Sequence, residues 1–357
     1  MTGRPRSRRD PRSWLATLRQ GLPATVLALG AASFFTDMSS EMIYPLIPAF
    51  LTDVLGAGAL ALGVVEGVAE STAAILKIAS GWWTDRVERR KPFVVAGYGI
   101  AGAVRPMIAA ATSWIWVVAV RFVDRIGKGV RTAPRDALIT DVTEPRQRGA
   151  AFGVHRSLDH LGSAVGPLVA AGLLGLGLGL RTVFLLAVVP AVVVMIVLIR
   201  HVEEPTRRDP ASASAGQSPP GDLGRGFWTL MAAVVLFTLG NSADAFLLLR
   251  LGDVGVGLVW IALLWSAFSI VKVVATWVGG RLSDRRGRKP LILSGWLVYG
   301  VIYLGLGAVD SLAAVVALFL LYGSYFGLTE PVERAWVADL APEGKRGAAF
   351  GWYNGAV

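Results

Sequence analysis

Gly81-Trp82-Trp83-Thr84-Asp85-Arg86-Val87-Glu88-Arg89-Arg90-Lys91-Pro92 decides the fold, because it returns as Gly280-Arg281-Leu282-Ser283-Asp284-Arg285-Arg286-Gly287-Arg288-Lys289-Pro290. Each copy follows an apolar run and closes it with an acidic residue and then a cluster of basic ones. The copies lie about 199 residues apart. A second pair keeps step with them. Asp141 precedes Arg148-Gly149-Ala150-Ala151-Phe152-Gly153, and Asp339 precedes Arg346-Gly347-Ala348-Ala349-Phe350-Gly351. Charged turns that repeat in register between apolar runs predict a duplicated membrane bundle, an architecture used mostly for transport.

Composition agrees. The chain has 357 residues, of which 54% are hydrophobic and 17% charged, where a soluble domain carries about a quarter charged. Its mean hydropathy is +0.56. The net charge of +10 does not call for nucleic acid, because the basic residues are scattered through loops between apolar spans, as positive-inside topology requires. The absence of cysteine excludes thiol catalysis and thiolate metal sites. Three histidines, His155, His160 and His201, leave little for a zinc centre. No glycine-rich loop ends in Gly-Lys-Ser/Thr, so an ion gradient is a better energy source than a nucleotide. Neither a cofactor nor an enzymatic activity is expected.

Apolar segments fall near 22–49, 58–81, 93–111, 114–134, 149–174, 182–200, 227–250, 256–280, 291–308 and 312–330, and an eleventh begins near 347. The basic N-terminal arm leads into a segment that is too long for a signal peptide and holds Asp37 and Glu41, so it reads as a retained first span. Most lysines and arginines lie in that arm and in the even-numbered connections, while Arg181 and Arg250 fall at the opposite ends. The N-terminus is therefore expected to be cytoplasmic. The stretch 201–225 is rich in Ser, Pro, Ala and charge and reads as a cytoplasmic linker. It divides a six-helix bundle over 1–200 from a second bundle over 226–357. Equal halves would need twelve spans, so the chain is expected to be cut within helix eleven.

These motifs resemble the major facilitator superfamily over essentially the whole chain. Gly81, Asp85, Arg86, Arg89 and Arg90 are similar to that family's signature between helices two and three. Gly280, Asp284, Arg285 and Arg288 are similar to its copy between helices eight and nine. Gly162, Gly166 and Pro167 on helix five resemble the motif associated with antiporters, and Arg121 with Gly127 and Gly129 resembles the helix-four motif. The resemblance implies an all-α polytopic membrane protein built of two pseudo-symmetric six-helix bundles, the second incomplete, that rock around a central cavity. The charged run from Asp124 to Asp136 departs from the family's common form.

Charges at membrane depth are costly, and they line cavities or pair with one another. Asp37 and Glu41 lie four apart on helix one, hence on one face, and Glu66 and Glu70 repeat the spacing on helix two. Arg105, Arg121, Arg125 and Arg156 are available partners, with Lys77 lower on helix two. Asp37, Glu41 and Asp124 are expected at the cavity. Glu66, Lys77 and Arg105 fit a structural network equally well. On helix five His155 and Asp159 are four apart. They read as a proton relay, as divalent-cation ligands together with Asp37 and Glu41, or as a plain polar pair. Asp244 and Lys272 are the main buried charges of the second half. Its aromatic residues, Trp260, Trp265, Phe268, Trp277, Tyr299, Tyr303, Tyr322 and Tyr325, suggest an apolar wall. Arg135 and Asp136, with their counterparts Glu333, Arg334 and Asp339, are expected to link the bundles.

The reading that joins these features is a monomeric secondary transporter in a bacterial-type plasma membrane. It exports a small hydrophobic or cationic molecule against inward proton flow. A divalent iron or manganese exporter is the alternative, and a non-transporting membrane sensor or scaffold stands as a third class.

Overall fold

The computed structural model describes residues 21–47, 50–57, 59–87, 89–204, 223–241, 247, 250–251, 254–256 and 258–357. Asp244 lies outside them, as does the side chain of Glu66. Eleven helices are named here: α1 (Ala24–Glu41), α2 (Ala59–Thr84), α3 (Lys91–Val104), α4 (Trp114–Val142), α5 (Arg148–Gly175), α6 (Leu180–His201, broken at Ala187), α7 (Gly224–Leu239), α8 (Leu258–Arg286), α9 (Arg288–Ala308), α10 (Leu312–Leu340) and α11 (Arg346–Ala356). Among the described residues six helices are long and apolar enough to cross a membrane. Exposed Leu297, Leu304 and Leu321 stud their outer faces, where lipid is the only solvent that suits them.

Helices α4 and α10 outrun the apolar segments that announce them, because their last turns stay helical while becoming charged. Each carries a proline at the transition, Pro134 in α4 and Pro331 in α10. A single residue, Gly287, separates α8 from α9 at φ +90°, a left-handed conformation that a side chain would strain. The start of α3 is capped by Glu204, whose carboxylate accepts the backbone N–H of Lys91 at 3.1 Å and that of Arg90.

The two halves cross each other where glycines let backbones touch. A Cβ on Gly81 of α2 would come within 2.8 Å of the Gly351 Cα on α11. In the matching crossing, one on Gly280 of α8 would come within 2.8 Å of the Gly153 Cα on α5. The duplicated motifs are therefore two symmetric contacts between the bundles. One apolar core at this end draws on both halves, joining Leu138 and Phe152 to Ala338 and Phe350. At the opposite end the cores are separate, one around Ile47, Phe50 and Phe184 and the other around Phe268, Phe319 and Tyr322. The halves are thus joined at the turn-bearing end and held apart at the other.

Candidate functional site

Between the halves lies a cavity of about 350 Å³. From the first half it is lined by Asp37 and Glu41 of α1, Lys77 of α2, Lys128, Arg131 and Arg135 of α4, and Arg156, Asp159 and His160 of α5. The second half contributes Trp265, Ser269 and Lys272 of α8, Glu330 and Arg334 of α10, and Asn354 of α11. Asp37 and Asp159 share one wall through Ser163, whose hydroxyl lies 3.4 Å from Asp37 Oδ2 and 3.3 Å from the Asp159 carbonyl. Arg156 spans the gap between the halves: it pairs with Asp159 on its own helix and bidentately with Glu330 on α10, at 3.0 Å to each oxygen. His160 Nε2 joins the same carboxylate at 2.9 Å. Deeper, Asp136 is fully buried between Arg135 at 2.9 Å and Arg334 at 3.6 Å, and it accepts a hydrogen bond from the Asn354 amide at 3.0 Å.

Several residues expected at the cavity are placed elsewhere. Asp124 is held by Arg105 at 2.7 Å and faces Arg121 at 3.8 Å, in a small separate pocket and not in the main lining. Arg105 also donates to the Thr36 carbonyl at 2.9 Å, so this trio fixes α1, α3 and α4 together. Glu70 reaches outward to Arg125 at 3.1 Å, with more than half its side chain exposed. His155 is completely buried and turns its Nε2 to the Ser33 hydroxyl at 2.9 Å. Asp159 is taken by Arg156 instead of His155. The four metal candidates, Asp37, Glu41, His155 and Asp159, do not form a ligand set, and no group of three or more such side chains suited to a metal occurs among the described residues.

The aromatic wall is also corrected. Tyr299, Tyr303, Tyr322, Tyr325 and Phe268 stack on one another inside the second half, while Trp260 and Trp277 are exposed on its surface. Trp265 alone of that group lines the cavity. No expectation above places Glu330 or Asn354 at the cavity, and Lys128 and Arg131 enter only as members of the charged run on helix four. Glu330 carried a usable signal, a carboxylate inside an apolar run just ahead of a helix proline.

At the turn-bearing end the two signatures form matched latches. Asp85 accepts the backbone N–H groups of Gly347 at 2.8 Å and Ala348 at 2.6 Å, capping α11 across the interface. Asp284 does the same for Gly149 at 3.0 Å and Ala150 at 2.8 Å, capping α5. A carboxylate there meets both the free N–H groups and the positive end of the helix dipole. Arg90 binds Asp85 at 3.1 Å and also Asp141, whose other oxygen takes Arg346 at 2.6 Å. In the copy, Arg288 binds Asp284 at 2.7 Å and Asp339 at 3.0 Å, and Asp339 takes Arg148 at 2.9 Å. Arg86 instead lies over the Trp82 ring, 3.1 Å from its centroid, and Arg89 and Arg285 are exposed. Gly162 and Gly166 let α5 press on α1: a Cβ on Gly166 would come within 2.8 Å of the Glu41 Cβ, next to Pro167.

Removing Arg156 would leave Asp159 without its ion-pair partner and Glu330 with His160 alone. Arg156→Leu is expected to lower stability by about 3 kcal/mol, the range for breaking an ion pair shielded from water. Thermal unfolding in detergent measures it, and adding Glu330→Gln should restore part of the loss if the pair is coupled.

Two bundles related by duplicated charged turns, closed at one end around a polar central cavity, define a multi-pass membrane transporter. The Major Facilitator Superfamily family model matches residues 29–357, and the chain belongs to that family. It is 32% identical over 345 residues to an uncharacterised MFS-type transporter of Methanocaldococcus jannaschii, covering 94% of this chain and 85% of that one. It is 24% identical over 344 residues to the multidrug resistance protein MdtH of Aeromonas hydrophila, covering 91% and 81%. The crystal structure of the human organic anion transporter MFSD10 (TETRAN) superposes with a TM-score of 0.76 at 17% identity, covering 93% of this chain and 89% of that chain. The activity is thus secondary transport of a small molecule across a membrane, without an enzymatic step.

Proposed function

We propose that the chain is a proton-coupled antiporter that exports a small molecule, with the carboxylates of Asp37 and Asp159 carrying the proton. The observation behind this is the placement of both side chains on one cavity wall, from two different helices joined by Ser163. Two ionised carboxylates on one wall repel, and a proton taken up by either removes the repulsion. A change in access to the cavity then becomes a change in which side supplies that proton. Export draws support from Gly162, Gly166 and Pro167, which resemble the antiporter motif, and from the relative whose name is multidrug resistance protein.

The cavity suits a cationic substrate less well than the sequence implies, because seven basic side chains line it against four carboxylates. The metal reading loses its ligand set. The halves 1–200 and 226–357 act as the rocking units, joined by 201–225, with that segment and the N-terminus on the cytoplasmic side. The described cavity lining comes from a single chain, which supports a monomeric transporter.

The test uses purified protein in liposomes loaded with a pH indicator. A pH gradient is imposed while small organic acids, organic amines and manganese are offered in turn. At least one organic compound should collapse the gradient only where the protein is present. A gradient untouched by every compound would remove the coupling and favour the sensor or scaffold class.

A further inference from the structure

Three of the cations around the cavity make no direct ion pair with a carboxylate among the described residues. Arg156 is answered by Asp159 and Glu330, and Arg135 and Arg334 converge on Asp136. Lys272 lies against the Phe268 and Phe326 rings, at 4.7 and 4.8 Å. Lys77, Lys128 and Arg131 stand apart from these pairs. Lys77 donates to the neutral Asn354 carbonyl at 2.9 Å. The Lys128 ammonium makes no hydrogen bond or ion pair among the described residues, and only its backbone carbonyl is used, by the Thr132 hydroxyl at 2.6 Å. Arg131 is 5% exposed and lies over the Tyr98 ring at 4.3 Å, yet its Nε and Nη1 have no hydrogen-bond partner among the described residues.

A buried guanidinium with open donors is expensive unless something arrives to use them. The planar fork of arginine matches a carboxylate or phosphate, and lysine supplies a point charge to the same oxyanion. Arg131 and Lys128 sit three apart on α4, hence on one face, and Lys77 joins them on the same cavity wall. Trp265 and Tyr98 border the space and offer ring surface to an organic body.

We propose that Lys77, Lys128 and Arg131 form an oxyanion subsite, and that the transported molecule is a small organic anion bearing a carboxylate or phosphate group. The proposal rests on the reading of this cavity as the substrate's route. It assigns the positive wall on α2 and α4 to the substrate, and the carboxylates on α1 and α5 to the proton.

Equilibrium binding to the full chain in lipid nanodiscs at low salt tests it, with benzoate, phenyl phosphate and benzylammonium as probes of similar size and different charge. At least one anion should bind about tenfold or more tightly than benzylammonium, as expected for a charged hydrogen bond. The tighter of the two identifies the oxyanion. Arg131→Gln with Lys128→Gln should weaken that anion by about tenfold or more, while Arg131→Lys, which keeps the charge and guards against misfolding, should retain part of the affinity. Preference for benzylammonium, anion binding that survives the double substitution, or failure of both anions to bind would each overturn the proposal. Binding is read without a gradient. A chain that binds benzoate yet moves no proton therefore refutes the coupling and supports the subsite.

Discussion

Asp37→Asn will reduce proton-driven transport to the level of protein-free vesicles while leaving the chain folded. Asparagine keeps the size and hydrogen-bonding reach of the carboxyl group, so Ser163 retains its partner. It cannot take up or release a proton, and the repulsion between Asp37 and Asp159 disappears with it. Substrate running down its own gradient should still cross, because the latches and cavity wall are intact. Only the uphill component should vanish. The split matters, because a side chain that merely held the fold would lower both rates together. Equal loss of downhill and proton-driven flux would demote Asp37 to a structural role. Asp159→Asn is the less clean companion, since it also removes a partner of Arg156.

The contrast between the latches and the cavity shows what the sequence reveals. Asp85 and Asp284 were legible because duplication places the same residue at the same step of two turns, and one physical role explains both. The exact partners, the N–H groups of Gly347 and Gly149, were half-legible. The Arg-Gly-Ala-Ala-Phe-Gly repeat was visible, but nothing in its spacing says that each copy docks on the other half's turn. Cavity residues were harder. Asp37, Glu41, Arg156 and Asp159 stood out as charges inside apolar runs. Asp124 and Glu70 stood out equally and turned away, because helix rotation decides between a cavity and a neighbouring arginine, and a single charge carries no rotation signal. His155 was misjudged for a related reason. Its position four residues before Asp159 puts both on one face, yet Ser33 on α1 and Arg156 on α5 compete for them and win. The aromatic wall failed because aromatics at helical spacing fill a core as readily as they line a path.

Neutralising both latches, Asp85→Ala with Asp284→Ala, should shift the protein strongly toward opening at the turn-bearing end. Each aspartate caps two backbone N–H groups of a helix that belongs to the other half. Loss of one cap costs about 1 kcal/mol, more where the acceptor is charged. The two caps hold the same interface in the same state, so their loss acts on one equilibrium, by about 2 kcal/mol or more in total. That corresponds to a population change of about thirtyfold. The arginines raise the stake, because Arg90 and Arg288 would each lose one of their two aspartates. Absence of cysteine from the chain makes the readout clean. Ser269→Cys would place one reporter thiol on the cavity wall, and membrane-impermeant maleimide applied from the turn-bearing side of sealed vesicles would report access. Labelling from that side should rise sharply in the double variant and by a smaller step in each single one. If the single variants already matched the double, the latches would be cooperative parts of one lock. If labelling stayed at the parental level in all three, closure would belong to the glycine crossings at Gly81 and Gly280 and to the shared apolar core, with the aspartates only finishing the helix ends.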